Sequence, residues 1–224
     1  YLQDNKARGG LHYFDANQSG VQCGQFITPF KIHDNVIINQ SGAAIYFGGN
    51  CPINTTFEYY NNIAINTGLK ADFNDSNGEV INDVNSAVDL GVNHDGVTSK
   101  LNFNNNIFYS WATDGQKTGV QACLGFSGGS DNATVTWSGN ICYTELDHYF
   151  IRSGYQGNMM EDNISGQSNV WYSSILDPKK AIVPPWDSSP IVTDPLLSID
   201  GARINISPNS PLIQKSESPL LRDI

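Results

Sequence analysis

The sequence predicts an all-β fold in which short strands wind into a solenoid. Five times along the 224 residues an Asn precedes a β-branched residue, with spacings of 27, 44, 34 and 29 residues. Recurrence at such distances indicates one structural repeat per coil, with insertions in the longer coils. No segment has apolar residues at helical spacing over three turns, which argues against helices. The five positions are Asn35, Asn62, Asn106, Asn140 and Asn169.

Each repeated Asn is expected at a corner between two strands. The five segments, HDNVII, YNNIAI, NNNIFY, SGNICY and QSNVWY, all have an apolar or aromatic residue three positions after the Asn. Because side chains alternate along a strand, the first and third residues share a face, which we expect to face the core. Asn tolerates the left-handed backbone of a tight bend, and its amide both donates and accepts hydrogen bonds. We therefore expect a ladder of Asn side chains, since chance pairs in an Asn-rich chain would not share this frame.

Two further strands complete each coil. The run GGLHYFDAN, from Gly9, aligns without gaps on GAAIYFGGN, from Gly42, at a shift of 33 residues. Corresponding runs lie at 87–92, 120–126 and 149–153. This pattern resembles the right-handed parallel β-helix of the pectate-lyase-like superfamily over nearly the whole chain. The tail is similar too, because SPIVTDPLL from Ser189 and INISPNSPLI from Ile204 match the Asp-Pro and Ser-Pro ending of many such proteins.

The resemblance implies an all-β, right-handed parallel β-helix with three strands per coil and an irregular C-terminal cap. Residues 1–175 would form the coils, and residues 176–224 a linker and the cap, because Pro178, Pro184 and Pro185 interrupt the strand pattern. The first coil already has the pattern of a running coil, whereas the ends of solenoids need polar caps. We therefore expect N-terminal coils, or another copy of the chain, to cover it.

The cysteines and sequons predict a secreted, extracellular protein. Cys23 and Cys51 follow aligned strands of adjacent coils, which makes them plausible disulfide partners. Cys123 and Cys142 would then pair by elimination, although three connectivities remain open. No run of about twenty apolar residues predicts a membrane span. Sequons for N-linked glycosylation occur at Asn17, Asn39, Asn54, Asn74, Asn132, Asn163 and Asn205.

The charge narrows the set of partners. A net charge of -10 at pH 7 argues against nucleic acid, which requires a basic surface. One acidic loop offers Asp72, Asp75 and Glu79, and calcium prefers such oxygen ligands. Their spacing does not match an EF-hand, and a solvated acidic loop is the alternative interpretation. Calcium is the only cofactor that the sequence suggests.

A polysaccharide is the expected partner. β-Helix enzymes of this superfamily commonly bind polysaccharide along a strand-lined groove, so the resemblance implies one here. Alternation places Tyr46 and Asp89 on the outward face, and the alignment adds Tyr13 and Arg152. Aromatic rings pack on sugar faces, while carboxylate and guanidinium groups bind hydroxyl or uronate groups. The alternative is an ordinary solvent-facing sheet.

Two loops carry candidate catalytic residues. GVNHDG contains His94 and Asp95, and ELDHYFIRSG contains Asp147 and His148. Glycoside hydrolysis uses two carboxyl groups, whereas uronate elimination uses a base and neutralisation of the uronate carboxylate. Either set of groups is present. Both loops also fit side chains that only hydrogen-bond the turn backbone.

The motifs of particular enzymes of the superfamily are absent. The Asn-Thr-Asp, Asp-Asp, Gly-His-Gly and Arg-Ile-Lys set of polygalacturonases is missing. The Trp-Ile-Asp-His and Arg-x-Pro-x-x-Arg segments of pectate lyases are missing as well. The sequence therefore predicts a secreted polysaccharide lyase or glycoside hydrolase of unspecified substrate. The alternative is a non-catalytic glycan-binding or adhesive extracellular solenoid.

Overall fold

The computed structural model shows an all-β protein, as the sequence predicts. It describes residues 2–3, 11–13, 30–38, 43–49, 56–67, 73–74, 80–81, 85–92, 99–110, 121–126, 133–144, 149–153, 163–174, 183–200 and 203–212. At several strand positions, including Tyr46, Asp89 and Arg152, only the backbone is described. These ranges contain twenty strands, in three parallel sheets and two antiparallel pairs.

The strands of each sheet follow one another in chain order. Sheet I contains β1 (Leu2–Gln3), β4 (Val36–Ile38), β7 (Ile63–Ile65), β12 (Ile107–Ser110), β15 (Ile141–Thr144) and β18 (Val170–Ser173). Sheet II contains β2 (Leu11–Tyr13), β5 (Ile45–Gly49), β10 (Asn85–Val92), β13 (Gln121–Phe126) and β16 (Tyr149–Ser153). Sheet III contains β3 (Phe30–His33), β6 (Thr56–Tyr60), β11 (Ser99–Asn104), β14 (Ala133–Ser138) and β17 (Ile164–Gln167). The antiparallel pairs are β8 (Phe73–Asn74) with β9 (Val80–Ile81), and β19 (Leu197–Asp200) with β20 (Arg203–Ile206).

The chain visits the three parallel sheets in the constant order I, II, III. One strand from each sheet therefore makes one structural repeat, and each strand pairs with its equivalent in the next repeat. Parallel pairing requires long connections, which agrees with the wide spacing of the repeated Asn residues. The lengths of these connections differ, but the order of the sheets does not.

Side chains from all three sheets meet in one hydrophobic cluster. Alternation selects them: in β11, Leu101 and Phe103 are fully buried, whereas Asn102 and Asn104 are partly exposed. Each large apolar side chain that is buried contributes roughly 1.5–3 kcal/mol. Sheet II contributes Ile45, Val88, Leu90 and Leu124, and sheet I contributes Ile37, Ala64, Phe108, Cys142 and Trp171.

Sheet I contributes to an apolar cluster on each of its faces, which differs from the sequence prediction. The second residue after the repeated Asn, such as Phe108, belongs to the cluster shared by the three sheets. The first and third, such as Ile107 and Tyr109, belong to a second cluster together with Ile204 and Leu212. The expectation that the first and third residues face the core shared by the coils is therefore wrong. They form a separate core with the C-terminal segment.

The C-terminal segment packs on the last repeat. Backbone bridges join Gly166 to Asp187 and Val170 to Ile191, next to β17 and β18. The two tail motifs contact each other, because the hydroxyl of Ser210 donates to the carbonyl oxygen of Pro195 at 2.6 Å. The predicted boundary between residues 175 and 176 lies outside the described residues.

A disulfide bond links two of the sheets. It joins Cys123 in β13 to Cys142 in β15, with the Cα atoms 6.0 Å apart. Both residues are buried in the shared cluster. The bond therefore crosses from sheet II to sheet I through the interior. The other predicted partners, Cys23 and Cys51, lie outside the described residues.

Candidate functional site

Three of the four predicted binding residues occupy one column of sheet II. Tyr46 pairs with Asp89, Asp89 with Gly125, and Gly125 with Arg152. Neighbouring strands of a sheet lie about 4.8 Å apart, so these four positions span roughly 14 Å across the sheet. The backbone register thus brings residues 106 positions apart in sequence onto adjacent and near-adjacent strands.

The fourth residue, Tyr13, does not belong to this column. Leu11 pairs with Ile45 and Tyr13 with Phe47, a shift of 34 residues rather than the predicted 33. A slip of one residue exchanges the two faces of a strand. The gapless alignment was wrong at this point, and His12 lies opposite Tyr46.

The columns on both sides of this column are buried. Val88 pairs with Ile45 and with Leu124, and all three are fully buried. Leu90, on the other side of Asp89, is fully buried as well. Because side chains alternate along a strand, a column between two inward columns has the register of the outer face.

The four candidate catalytic residues, His94, Asp95, Asp147 and His148, lie outside the described residues. The strands beside them are described. β10 ends at Val92, before the first pair, and β16 begins at Tyr149, after the second pair. Tyr149 is in register with Ala122 and Ser86, which lies six residues, or roughly 20 Å, from Val92 along β10. The two loops therefore adjoin opposite ends of sheet II.

The proposed calcium ligands, Asp72, Asp75 and Glu79, also lie outside the described residues. Asn74 pairs with Val80 in the short antiparallel pair formed by β8 and β9. This pairing holds together the two ends of the segment that carries Asp75 and Glu79. Among the residues that the structure describes, no three His, Cys, Asp or Glu side chains are grouped as metal ligands.

The five repeated Asn residues form a hydrogen-bonded ladder where the chain passes from sheet III to sheet I. Each carboxamide oxygen from Asn62 onward accepts the backbone N–H and the side-chain N–H of the preceding ladder Asn, at 2.9–3.3 Å. The side-chain amides also donate to strand carbonyl oxygens, as from Asn106 to Tyr59 at 2.9 Å. Asn62, Asn106, Asn140 and Asn169 are almost completely buried. Their polar groups are therefore satisfied inside the protein.

The left-handed residue at each corner is the one before the ladder Asn. The φ angles there lie between 56° and 65°, in the region that L-residues rarely adopt. The residues are Asp34, Asn61, Asn105, Gly139 and Ser168. The expectation that the ladder Asn itself takes this conformation is wrong by one position. One residue therefore makes the left-handed bend, and the next residue makes the internal hydrogen bonds.

Asp187, which the sequence analysis missed, ends the ladder. Its carboxylate accepts the side-chain N–H of Asn169 at 2.9 Å and the indole N–H of Trp171 at 2.8 Å. It also accepts the backbone N–H of Ser189 at 3.2 Å, as in an Asx turn. Trp186, the preceding residue, packs over Gly166, where a Cβ would lie only 2.8 Å from its ring. The sole sequence signal was the short-range pattern Asp-Ser-Ser after two prolines.

Asp194 of the tail motif interacts with Tyr172, on the face of sheet I that carries the second cluster. It accepts the backbone N–H of Leu196 at 2.8 Å. Burial, and then the charge and hydrogen bond of Asp194, raise the pKa of Tyr172. The ring of Tyr172 packs on Tyr143, which stacks on Tyr109 at a centroid distance of 4.4 Å. The Asp-Pro motif therefore has a structural role here.

The outer face of sheet III is charged and aromatic at β3 and β6. Lys31 and Glu58 form an ion pair at 2.9 Å, and the hydrogen bond and charge of Glu58 raise the pKa of Lys31. The ring of His33 stacks on Tyr60 with centroids 4.8 Å apart. His33 also hydrogen-bonds the carboxylate of Asp34 at 2.6 Å.

The same face is mainly uncharged at β11, β14 and β17. Two columns of amide and hydroxyl side chains cross these strands, and the register pairs their members directly. We call these six residues the neutral grid: Asn102, Thr136 and Ser165 in one column, and Asn104, Ser138 and Gln167 in the other. All six are at least partly exposed.

Two of the seven sequons have described side chains. Asn205 is exposed in β20, and Asn163 is partly buried before β17. At Asn74 only the backbone is described, and Asn17, Asn39, Asn54 and Asn132 lie outside the described residues. The structure therefore presents Asn205 as the accessible one of the two.

Comparisons with models of known protein families, with curated proteins and with solved structures found no match to this chain. Within the described ranges, no helix is long and apolar enough to cross a membrane.

Proposed function

We propose that this chain is a secreted, carbohydrate-active protein whose three sheets form one right-handed parallel β-helix. The constant order of the sheets supports the coiled path, because each repeat adds one strand to each sheet. The cluster shared by all three sheets and the disulfide bond inside it support a common interior. A disulfide is also typical of secreted proteins. The Asn ladder lies where the repeated Asn residues predicted a corner between strands.

The polysaccharide binds along the outer face of sheet II. The observation that carries this proposal is the column Tyr46, Asp89, Gly125 and Arg152. An aromatic ring, a carboxylate and a guanidinium group in one line supply sugar stacking, hydroxyl binding and uronate binding. Gly125, between Asp89 and Arg152 in the column, contributes no side chain and is buried. The ligand class is an extracellular glycan that contains uronate groups.

Elimination fits this sheet better than hydrolysis. Hydrolysis requires two carboxyl groups about 5–10 Å apart, whereas Asp95 and Asp147 adjoin opposite ends of sheet II. Elimination needs one base, for which His94 and His148 are the candidates, and a cation beside the uronate carboxylate. Arg152 lies in the binding column and would supply that charge. Calcium held by Asp72, Asp75 and Glu79 is the other possible source.

Retention on an acidic polysaccharide tests the binding site. Tyr46→Ala combined with Arg152→Ala should abolish retention on immobilised polygalacturonate, with little change in melting temperature, because residues outside the core contribute little stability. Tyr60→Ala combined with Arg203→Ala is the matched control, since it removes the same side chains from other surfaces. Equal retention of the Tyr46/Arg152 variant and the wild type would exclude this column as the site.

Turnover separates an enzyme from a binding protein. If the wild type releases unsaturated products, which absorb in the ultraviolet, His94→Ala or His148→Ala should lower the rate by about 10² to 10⁴-fold. Binding without turnover would instead identify a non-catalytic, glycan-binding extracellular solenoid. This second candidate is supported because β10 ends, and β16 begins, at opposite ends of sheet II, so the two predicted pairs of catalytic residues adjoin different ends of the sheet.

A further inference from the structure

The neutral grid on sheet III has unused hydrogen-bonding capacity. None of its six side chains hydrogen-bonds another residue in the part of the chain that the structure describes. Amides and hydroxyls both donate and accept, so the grid presents both functions on three adjacent strands. The charged half of the same face differs, because its groups pair with each other, as Lys31 does with Glu58.

The grid is held in a fixed position by the buried ladder. Asn104, Ser138 and Gln167 each lie two residues before a ladder Asn in the same chain segment. The ladder fixes the register of successive repeats, so the spacing of the grid is fixed too. Side chains of one face repeat about 4.8 Å across strands and roughly 7 Å along them. A preorganised surface loses less conformational freedom when it binds a ligand.

The chemistry of the grid excludes several kinds of partner. The grid itself has no charged side chain. Glu58, which is in register with Asn102 on β6, is paired with Lys31, and Lys100 lies on β11, so a strongly charged partner would find little unpaired charge. The grid contains no aromatic or large apolar side chain for an apolar partner. The backbone groups of β14 are used in pairing with both neighbours, so an added strand cannot pair there.

We propose that the neutral grid binds an uncharged, hydroxyl-rich polysaccharide. Such a chain is extended, and its hydroxyl groups donate and accept at short intervals, as the grid requires. The surface is separate from the sheet II column and does not depend on the function proposed for it. The protein would then hold a neutral glycan on one face and a uronate-containing glycan on another.

Adsorption to insoluble neutral polysaccharides tests this proposal. The probes are cellulose, chitin and an insoluble β-1,3-glucan, and the variant is Thr136→Ala combined with Ser138→Ala. The wild type should adsorb to at least one probe, and the variant about tenfold more weakly, because two hydrogen bonds are lost. Thr193→Ala combined with Ser198→Ala is the matched control, since both residues are exposed in the C-terminal segment. Circular dichroism confirms that each variant is folded.

The outcomes distinguish the two surfaces. The Tyr46/Arg152 variant should retain its adsorption to the neutral probe even if it loses retention on polygalacturonate. The proposal fails if the wild type adsorbs to none of the neutral probes, or if the grid variant and its control adsorb equally. It also fails if the grid variant loses only an ability to bind ice, measured as thermal hysteresis, because an ordered hydroxyl array can also match a water lattice.

Discussion

Three consecutive asparagines, Asn104, Asn105 and Asn106, have three different environments. Asn104 ends β11 on the outer face of sheet III, and within the described part of the chain only its backbone, not its side chain, is hydrogen-bonded. Asn105 is exposed and takes the left-handed backbone conformation at the corner, with φ of 56°. Asn106 is fully buried and makes four side-chain hydrogen bonds in the ladder.

The comparison shows that residue type alone does not assign a role. The same amide stabilises the protein where water is excluded, because an unpaired buried amide would be costly. On the surface it contributes little to stability, because water can replace any partner. The corner therefore carries the stability of the repeat, and the outer face is free for binding. Substitutions in the ladder, at the corner and on the outer face measure this difference.

The largest effect is expected in the ladder. Asn106→Ala removes an acceptor for two N–H groups of Asn62 and a donor to Tyr59 and Asn140. Leaving these buried groups without hydrogen-bond partners should lower the free energy of unfolding by about 3 kcal/mol. Denaturant unfolding measures it, with Asn102→Ala, at a partly exposed position of β11, as control. A loss no greater than that of the control would contradict a stabilising ladder.

A smaller loss is expected at the end of the ladder. Asp187→Ala removes the acceptor of the side-chain N–H of Asn169 and of the indole N–H of Trp171. Asn169 keeps its bond to the carbonyl oxygen of Trp137, so the cost should be about 2 kcal/mol. Asp200→Ala, at an exposed position of β19, is the matched control in thermal melts. If both variants melt at the same temperature, Asp187 does not cap the ladder.

The corner itself gives the third effect. Gly139 has φ of 65°, and a Cβ there would lie 2.6 Å from the side-chain oxygen of Asn105. Both Ala and Asn would bring this Cβ contact, so the difference between them comes from the backbone: Gly139→Ala should cost about 1 kcal/mol more than Gly139→Asn, because Asn adopts the left-handed region more readily. Asn61 and Asn105 already occupy this position at their own corners. Equal stabilities of the two variants would show that the corner does not select for left-handed residues.

The sequence was sufficient to predict the ladder but not the surfaces around it. The Asn frame repeats five times, so stacking Asn62 on Asn106 follows from periodicity. Asp187 occurs once, in the tail. Its contact with Asn169 does not recur along the chain, so no repeat in the sequence could predict it. Alternation along β11, with Leu101 and Phe103 buried and Asn102 partly exposed, is likewise a property of one strand and its faces.

Two errors have a common physical cause. Tyr13 was aligned with Tyr46 by local similarity, but strand register is set by cross-strand packing, and a slip of one residue changes the face. The first and third residues after the Asn were assigned to the shared core, although β12 is apolar on both faces. A strand with two buried faces has no alternation to indicate which face is the interior. Contacts with the C-terminal segment determine which face of the strand packs into which core.

The smallest effect on stability, and the most informative about function, is expected for Asn104→Ala. This side chain is partly exposed, and water can satisfy its amide after folding as before it. The free energy of unfolding should change by less than about 0.5 kcal/mol, although Asn106, two residues away, is expected to cost about six times as much. Adsorption to the neutral polysaccharide should nevertheless fall about fivefold, from the loss of one hydrogen bond. A large loss of stability would show that Asn104 supports the corner, and unchanged adsorption would remove it from the binding surface. The contrast with Asn106 requires two results. Asn106→Ala must lower stability more than adsorption, and Asn104→Ala must lower adsorption more than stability.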